Sequence, residues 1–220
     1  MDRIAIVGSS GHAKVVIDIV EREGRFAIAG LVDRYREAGE SALGYRILGT
    51  EDDLPRLAEE LHIAGAIVAI GDNFVRSQVV EQVRQLCPGL AFVTAIHPHA
   101  TIGRDVSIGE GTVIAAGVVV NPCCTIGRHA ILNTNASLDH DSTMGDFSSL
   151  APRAATGGTC QIGDFAAIGI GAVLLHGISV GEHTVIGAGA TVLRNVGPYC
   201  VAYGAPAREI RKRAAGDRYL

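Results

Sequence analysis

From Ile96 to Val192 an aliphatic residue stands at every sixth position, seventeen positions without an insertion, and Thr156 alone interrupts the series. The run passes through Ile108, Ile114, Val120, Ile126, Leu132, Leu138, Met144, Leu150, Ile162, Ile168, Leu174, Val180 and Ile186. Two positions ahead of most of these sits a small or modestly apolar residue, such as Cys124, Ala130, Ala136, Ser148, Ala154 or Ala166, and glycine often follows directly, as at Gly127, Gly145, Gly163, Gly169 and Gly187. A period of six suits neither a helix, at 3.6, nor a half-buried strand, at 2, so the chain must turn a corner about once per hexad. Three hexads close a triangular coil of 18 residues whose aliphatic side chains point inward, with glycine expected to take the tight corner conformation. At the ~4.8 Å spacing of paired strands, a little over five such coils build a prism about 25 Å tall.

Composition narrows the class. With 220 residues the chain has room for two modest domains, and 48% hydrophobic content with five Phe, five Tyr and no Trp suits a β-branched core. A net charge of -4 carries no basic footprint for nucleic acid. No apolar run approaches the ~20 residues of a membrane span, and the first ten residues lack a signal-peptide layout. Cys87, Cys123, Cys124, Cys160 and Cys200 show no CxxC spacing, so reduced thiols and a cytoplasmic location are expected.

The first 95 residues follow another rhythm. Arg3 to Val7 is predicted as a buried strand, Gly8 to Lys14 as a turn entering a helix that runs from Val15 to Glu23, and Ala27 to Val32 as a second strand ending at Asp33. A helix over Glu51 to Leu61, a strand over Gly65 to Ile70, a helix over Asn73 to Leu86 and a strand over Leu90 to Thr94 complete a small, mostly parallel α/β domain, Rossmann-like in its alternation. The expected division is residues 1–95 for this domain and 96–220 for the prism with its tail.

A parallel sheet binds ligands outside the carboxyl ends of its strands. Three loops lie there. The turn carrying Ser10, Gly11, His12 and Lys14 offers free N–H groups at a helix start, where the dipole favours an anion and Lys14 adds charge. Asp33 closes the second strand, where a carboxylate can accept from a ribose or base edge. Gly71, Asp72 and Asn73 close a later strand, with Arg76 one turn into the next helix. The GxGxxG fingerprint is absent and the domain is too short for two mononucleotide halves, so a nucleotide-type ligand, not a dinucleotide, is expected.

In the prism the residues two and three after each aliphatic position should face outward. His140 and Asp141 fill those positions behind Leu138. A carboxylate beside an imidazole fixes its tautomer and stabilises its cation, and an unperturbed histidine titrates near physiological pH, which suits a general base. His176 lies two coils further on, in the same column, about 10 Å away at twice the strand spacing. His129 and His183 fall at corner or outward positions and are expected to be solvated. His97 and His99, around Pro98, are expected to serve the junction, and His62 to end a helix. No histidine, cysteine or carboxylate set has metal-ligand spacing, which leaves a zinc hydratase on the same scaffold without its three ligands.

The segment Leu132-Asn133-Thr134-Asn135-Ala136-Ser137-Leu138-Asp139-His140-Asp141 resembles that of the bacterial nucleotide-aminosugar N-acetyltransferases, hexapeptide-repeat acyltransferases whose relatives include sialic acid O-acetyltransferases. Gly-Ser-Ser-Gly-His-Ala-Lys at 8–14, Ala69-Ile70-Gly71-Asp72-Asn73, Ile96-His97-Pro98 and Gly204-Ala205-Pro206-Ala207-Arg208 extend the resemblance along nearly the whole chain. It implies a left-handed parallel β-helix, a UDP- or GDP-linked 4-amino sugar bound by the N-terminal domain, acetyl-CoA as donor in the groove between prisms, and a homotrimer with shared sites, in the service of glycan synthesis. It further implies that His140 is the base oriented by Asp141, that Asn133 positions sugar or histidine, and that Ser149, Gly158, Ile170, His176, Gly187, Ala205 and Arg208 contact CoA. Relatives often carry histidine where this chain has Ser149 and proline where it has His176. The same His140-Asp141 pair would serve O-acetylation of a sialic acid or other sugar hydroxyl. A non-catalytic nucleotide-sugar scaffold is the third reading, one that the intact His140, Asp141 and Asn133 weaken.

Overall fold

The computed structural model describes residues 1–219. The N-terminal portion is a six-stranded sheet. Its strands are β1 (Asp2–Val7), β2 (Phe26–Val32), β3 (Ser41–Ala42), β4 (Tyr45–Gly49), β5 (Ile63–Val68) and β6 (Ala91–Phe92), in the order β3-β4-β2-β1-β5-β6. All pairs are parallel except the hairpin of β3 with β4. Helix α1 (Gly11–Glu23) covers one face, and α2 (Leu54–Leu61) and α3 (Asn73–Leu86) the other.

The hydrophobic pattern places most elements correctly, and the differences have local causes. Helix α1 starts four residues earlier than Val15, because Ser10 holds the extended N-cap conformation and frees Gly11 to begin the turn. A short 3-10 turn at Glu51–Asp53 precedes α2, closed by a capping box between Thr50 and Asp53. His62 ends α2 in the left-handed conformation, which brings the next strand forward to Ile63. The β3–β4 hairpin lies in a stretch where no strand was expected.

Residues from Ala95 onward form the left-handed parallel β-helix. Two-residue strands stack with an 18-residue register, such as Val113 on Ala95 and Ile131 on Val113, into three faces. The first face carries Ile131–Leu132, Ser149–Leu150 and Ala167–Ile168; the second, Ser137–Leu138 and Ala155–Thr156; the third, Thr143–Met144 and Gln161–Ile162. The interior is one column of the predicted aliphatic and small residues, among them Ile114, Leu132, Leu138, Leu150, Ala154 and Ile168. A hairpin of Cys200–Gly204 with Ala207–Lys212 closes the far end of the first face.

Glycine takes the left-handed corner conformation as expected at Gly111, Gly117, Gly171, Gly177 and Gly189, but the glycines directly behind the aliphatic positions do a different job. The left-handed residue is the third after each aliphatic position and is usually not glycine: Cys123, His129, Asn135, Asp141, Phe147, Thr159, Phe165 and His183 all have φ between 52° and 63°. The glycine directly behind the aliphatic residue is needed for close approach instead. At Gly169 a Cβ would stand 2.6 Å from the Ile186 carbonyl oxygen of the next coil.

The α/β domain rests on the prism along two lines. The α1 side of its core runs on into Ala95, Val113, Ala115 and Ile131 on the outer side of the first face. Helix α3 lies over the corner joining the third face to the first.

Candidate functional site

His140 projects from the corner between the second and third faces. Its Nδ1 lies 2.7 Å from Asp141 Oδ2, and both side chains are about half exposed, at 49% and 56%. Donating this hydrogen bond to the Asp141 carboxylate raises the imidazole pKa above its ordinary value by favouring the cation. The Asp139 carboxylate accepts from the His140 backbone N–H at 2.8 Å and from Asn121 Nδ2, and these bonds hold the Asp139 carboxyl below the usual range. Nε2 of His140 is turned toward Gly158 one coil on, where an added Cβ would fall 2.5 Å from Nε2 and Cε1. The imidazole thus lies back in the space a side chain at 158 would fill. His176, one coil further, leans into the same space, so the two rings are 6.0 Å apart, closer than the two-coil spacing of the column. His176 Nε2 is 3.2 Å from Thr159 Oγ1.

At the carboxyl ends of β1 and β2 a cavity of about 530 Å³ is lined by Gly8, Ser9, Ser10, Asp33, Tyr35 and Glu51 with residues of α3. Gly8 has φ +103° and a Cβ there would meet the Ala69 carbonyl at 3.1 Å, so the turn between β1 and α1 needs glycine. Asp33 is buried. Its Oδ2 accepts from Ser9 Oγ at 2.6 Å and its Oδ1 from the Tyr35 N–H at 2.8 Å, leaving further lone pairs toward the cavity. Lys14 is exposed on the first turn of α1.

Three residues expected to meet a ligand have structural duties. Asp72 caps α3, its Oδ1 accepting from the N–H groups of Phe74 and Val75 at 3.0 and 2.9 Å. Asn73 is buried and donates through Nδ2 to Ser149 Oγ and to the Phe165 and Ala166 carbonyls of the prism. Arg76 is 1% exposed, and each of its five N–H groups has an acceptor. Nε donates to the His129 carbonyl, Nη1 to those of Ile70 and Gly71, and Nη2 to the Phe147 carbonyl and Asn73 Oδ1, all between 2.8 and 3.0 Å. Burial lowers its pKa to about 10, so it stays charged. Asn73 and Arg76 therefore fasten the domain to the prism because they sit on the side of α3 that meets the seam, while Val75, Gln78, Val79 and Gln82 of the same helix line the cavity.

The same seam corrects the expectation for two histidines. His129, Phe147, Phe165, His183 and Tyr199 stack in one corner column, with successive centroids 5.1, 5.2, 4.4 and 5.0 Å apart. Phe92 meets His129 edge-on at 4.8 Å and Phe74 packs near His183. His129 and His183 are buried, not solvated. Burial, reinforced by Arg76, lowers the His129 pKa to about 4.

A second cavity, of about 380 Å³, opens between the α/β domain and the first face. Asn133, Ser149, Ile170 and Gly187 line it together with His12 and Gly71. Burial and the nearby Arg76 charge lower the His12 pKa to about 4, so it meets any ligand as a neutral imidazole, and its Nε2 has no partner among the described residues. Tyr219 also lines this cavity, its hydroxyl accepting from the Asn73 backbone N–H at 3.1 Å. No periodicity marks that tyrosine in the sequence. Gly158 and His176 stand instead with His140 at the other corner, while Arg208 lies on the closing hairpin beside Arg194 and Asn195. One chain therefore presents its expected CoA contacts in three separate places on the prism. Among the described residues no His, Cys, Asp or Glu cluster is arranged to hold a metal ion, and no helix is long and apolar enough to cross a membrane.

Residues 3–83 match the family described as PglD N-terminal domain, and residues 159–194 match the bacterial transferase hexapeptide repeat. The chain is similar to perosamine N-acetyltransferase from Caulobacter crescentus, solved as a histidine-to-asparagine mutant in complex with CoA and GDP-perosamine: identity is 35%, the TM-score 0.91, and the match covers 96% of this chain and 98% of that one. The acetyltransferase domain of PglB from Neisseria gonorrhoeae, in complex with acetyl coenzyme A, is 31% identical, with a TM-score of 0.86 and coverage of 94% and 98%. UDP-N-acetylbacillosamine N-acetyltransferase from Bacillus subtilis is 33% identical over 119 residues, a match spanning 53% of this chain and 52% of the relative's length.

Proposed function

The chain belongs to the family of acetyl-CoA-dependent sugar N-acetyltransferases that join a PglD-type N-terminal domain to hexapeptide repeats, and we propose that it acetylates the amine of a UDP- or GDP-linked 4-amino-deoxy sugar with His140 as general base. The observation that carries this reading is the exposed His140–Asp141 pair, hydrogen-bonded at 2.7 Å with Nε2 free for a substrate proton. A relative solved with both CoA and GDP-perosamine, over nearly the whole chain, supports the choice of substrates.

In this reading the nucleotide lies in the cavity beside Ser10 and Asp33, with Gly11 and Lys14 toward its phosphates. The sugar reaches past His12 and Gly71 into the cavity lined by Asn133 and Ser149. Its nitrogen attacks the thioester carbonyl carbon, the carbon–sulfur bond breaks, and His140 carries the amine proton to the departing thiolate, so that amide and free CoA result. Asp141 keeps the ring in the correct tautomer and stabilises its cation.

His140 stands at a different corner from the cavity lined by Ser149, Ile170 and Gly187, so a single chain does not assemble the whole site. A second copy in a homotrimer supplies the missing wall, His140 and His176 of one subunit facing the Ile170 and Gly187 side of the next. Acetyl-CoA then lies between the two prisms.

The test is CoA release, followed with a thiol reagent, from purified protein, acetyl-CoA and a panel of UDP- and GDP-linked 4-amino sugars, with His140→Ala alongside. Turnover of one amino sugar that is lost in the variant supports the proposal and names the nucleotide. Turnover only with sialic acid or another sugar hydroxyl moves the assignment to O-acetylation, and equal turnover by the variant removes His140 from the base role.

A further inference from the structure

The one break in the aliphatic register lies one coil from the histidine, and it marks an exception in the hydrogen-bond ladder. Along the second face the N–H just after each aliphatic residue donates to the carbonyl of the matching residue one coil on. Gly103 donates to Val120, Asn121 to Leu138, Gly157 to Leu174 and Leu175 to Val192, these four bonds lying at 2.8 to 2.9 Å. Asp139 should donate in the same way to the Thr156 carbonyl. Its N–H goes instead to the Thr156 side-chain hydroxyl, at 3.0 Å. The ladder is correspondingly shortened there: Ser137 pairs with Ala155, whereas the other pairs of that face carry two residues each.

We propose that Thr156 is a positioning residue for His140: its hydroxyl takes the place of a backbone carbonyl as acceptor for Asp139, and so sets the corner from which the imidazole reaches over Gly158. The inference rests on the reading of His140 as the base. Thr156 is 8% exposed in a column otherwise filled by aliphatic side chains, a place where a hydroxyl has to find a partner. The partner it finds is the residue that precedes the histidine. Asp139 then holds His140 through its own carboxylate, which accepts the His140 N–H. Two successive backbone N–H groups at this corner are thus held by side chains, Asp139 by Thr156 and His140 by Asp139, and the corner can depart from the geometry its neighbours repeat.

Thr156→Val separates this role from a merely structural one. Valine matches threonine in shape and restores the aliphatic register, and the Asp139 N–H can close onto the residue 156 carbonyl as its neighbours do. The expected result is a melting temperature equal to or above that of the unaltered protein, together with a kcat lowered by roughly 10-fold to 100-fold for a shift of the base by about 1 Å. KM for acetyl-CoA should stay the same, and Thr156→Ser should recover most of kcat. A Thr156→Val enzyme with full kcat overturns the proposal. So does a kcat lost in step with the melting temperature and not recovered by serine. His140→Ala measured in parallel keeps the two readings apart, because full activity in that variant dismisses the base assignment irrespective of Thr156.

Discussion

Gly158→Ala places a methyl group 2.5 Å from Cε1 and Nε2 of His140, where carbon contacts settle at about 3.5 to 4 Å. The imidazole must therefore retreat by roughly 1 Å. The main chain has no reason to object: Gly158 is not in the left-handed region, and the matching positions one coil away on either side carry His140 and His176. The ring is half exposed and free to swing, so the strain falls on its aim and not on the fold. Replacing glycine by alanine on a compatible backbone stabilises by about 0.4–1 kcal/mol, chiefly by restricting the unfolded chain. A base displaced by about 1 Å costs on the order of 100-fold in rate, which is about 2.7 kcal/mol of transition-state stabilisation. Measured by CoA release across a range of both substrates, Gly158→Ala should lose kcat at a melting temperature unchanged or slightly raised. A kcat within twofold of the unaltered enzyme would refute the placement of the reacting proton at Nε2. A melting point several degrees lower would show instead that the corner requires glycine for its own sake.

The seam makes two further predictions. Arg76→Met leaves the carbonyls of His129, Ile70, Gly71 and Phe147 short of a donor; at about 1 kcal/mol or more for each buried acceptor, the loss is at least about 4 kcal/mol, and thermal unfolding should fall by roughly 8–16 °C, an unchanged midpoint showing that water replaces the guanidinium freely. His129 is kept neutral in the fold down to about pH 4, whereas in the unfolded chain it gains a proton near 6.5. The folded protein binds fewer protons between those values, so stability is full above about pH 6.5 and is lost as pH falls toward 4, by about 1.4 kcal/mol for each pH unit. His129→Phe, which keeps the stack, should flatten that decline in melting temperature, and an acid response identical to that of the unaltered protein would assign the effect elsewhere.

Much of the prism was legible because its constraint is repetitive: one aliphatic residue per hexad must point inward, and sixteen in phase leave no other way to bury them. Helix α3 was also legible to its ends at Asn73 and Leu86. What the pattern could not show was the use made of the outer surface. His129 and His183 looked solvated because a corner residue of an isolated prism is solvated; only the docking of α3 buries them. A signal was present, since Phe147 and Phe165 share the 18-residue corner register of His129 and His183, and an aromatic column on an outward track marks a covered surface. Arg76 and Asn73 looked like ligand contacts because they begin the helix behind a glycine-ended strand, yet the long-range partners that occupy them lie at least 53 residues away. Tyr219 could not be found at all, since its place depends on how the last segment returns to the seam.

The stacked corner column has a consequence for how a chain of this kind can change its reach. Helix α3 grips several consecutive coils, through the carbonyls of His129, Phe147 and Phe165 and the ring of His183, so it is seated on a track whose teeth recur every 18 residues. Nothing shorter than a whole coil can be added or removed beneath it without rotating the aromatic column off the helix and turning His140 to another side. The distance from the Asp33 cavity to the histidine corner is therefore a geared quantity. It can move only in notches of about 4.8 Å, and any finer adjustment has to come from side chains.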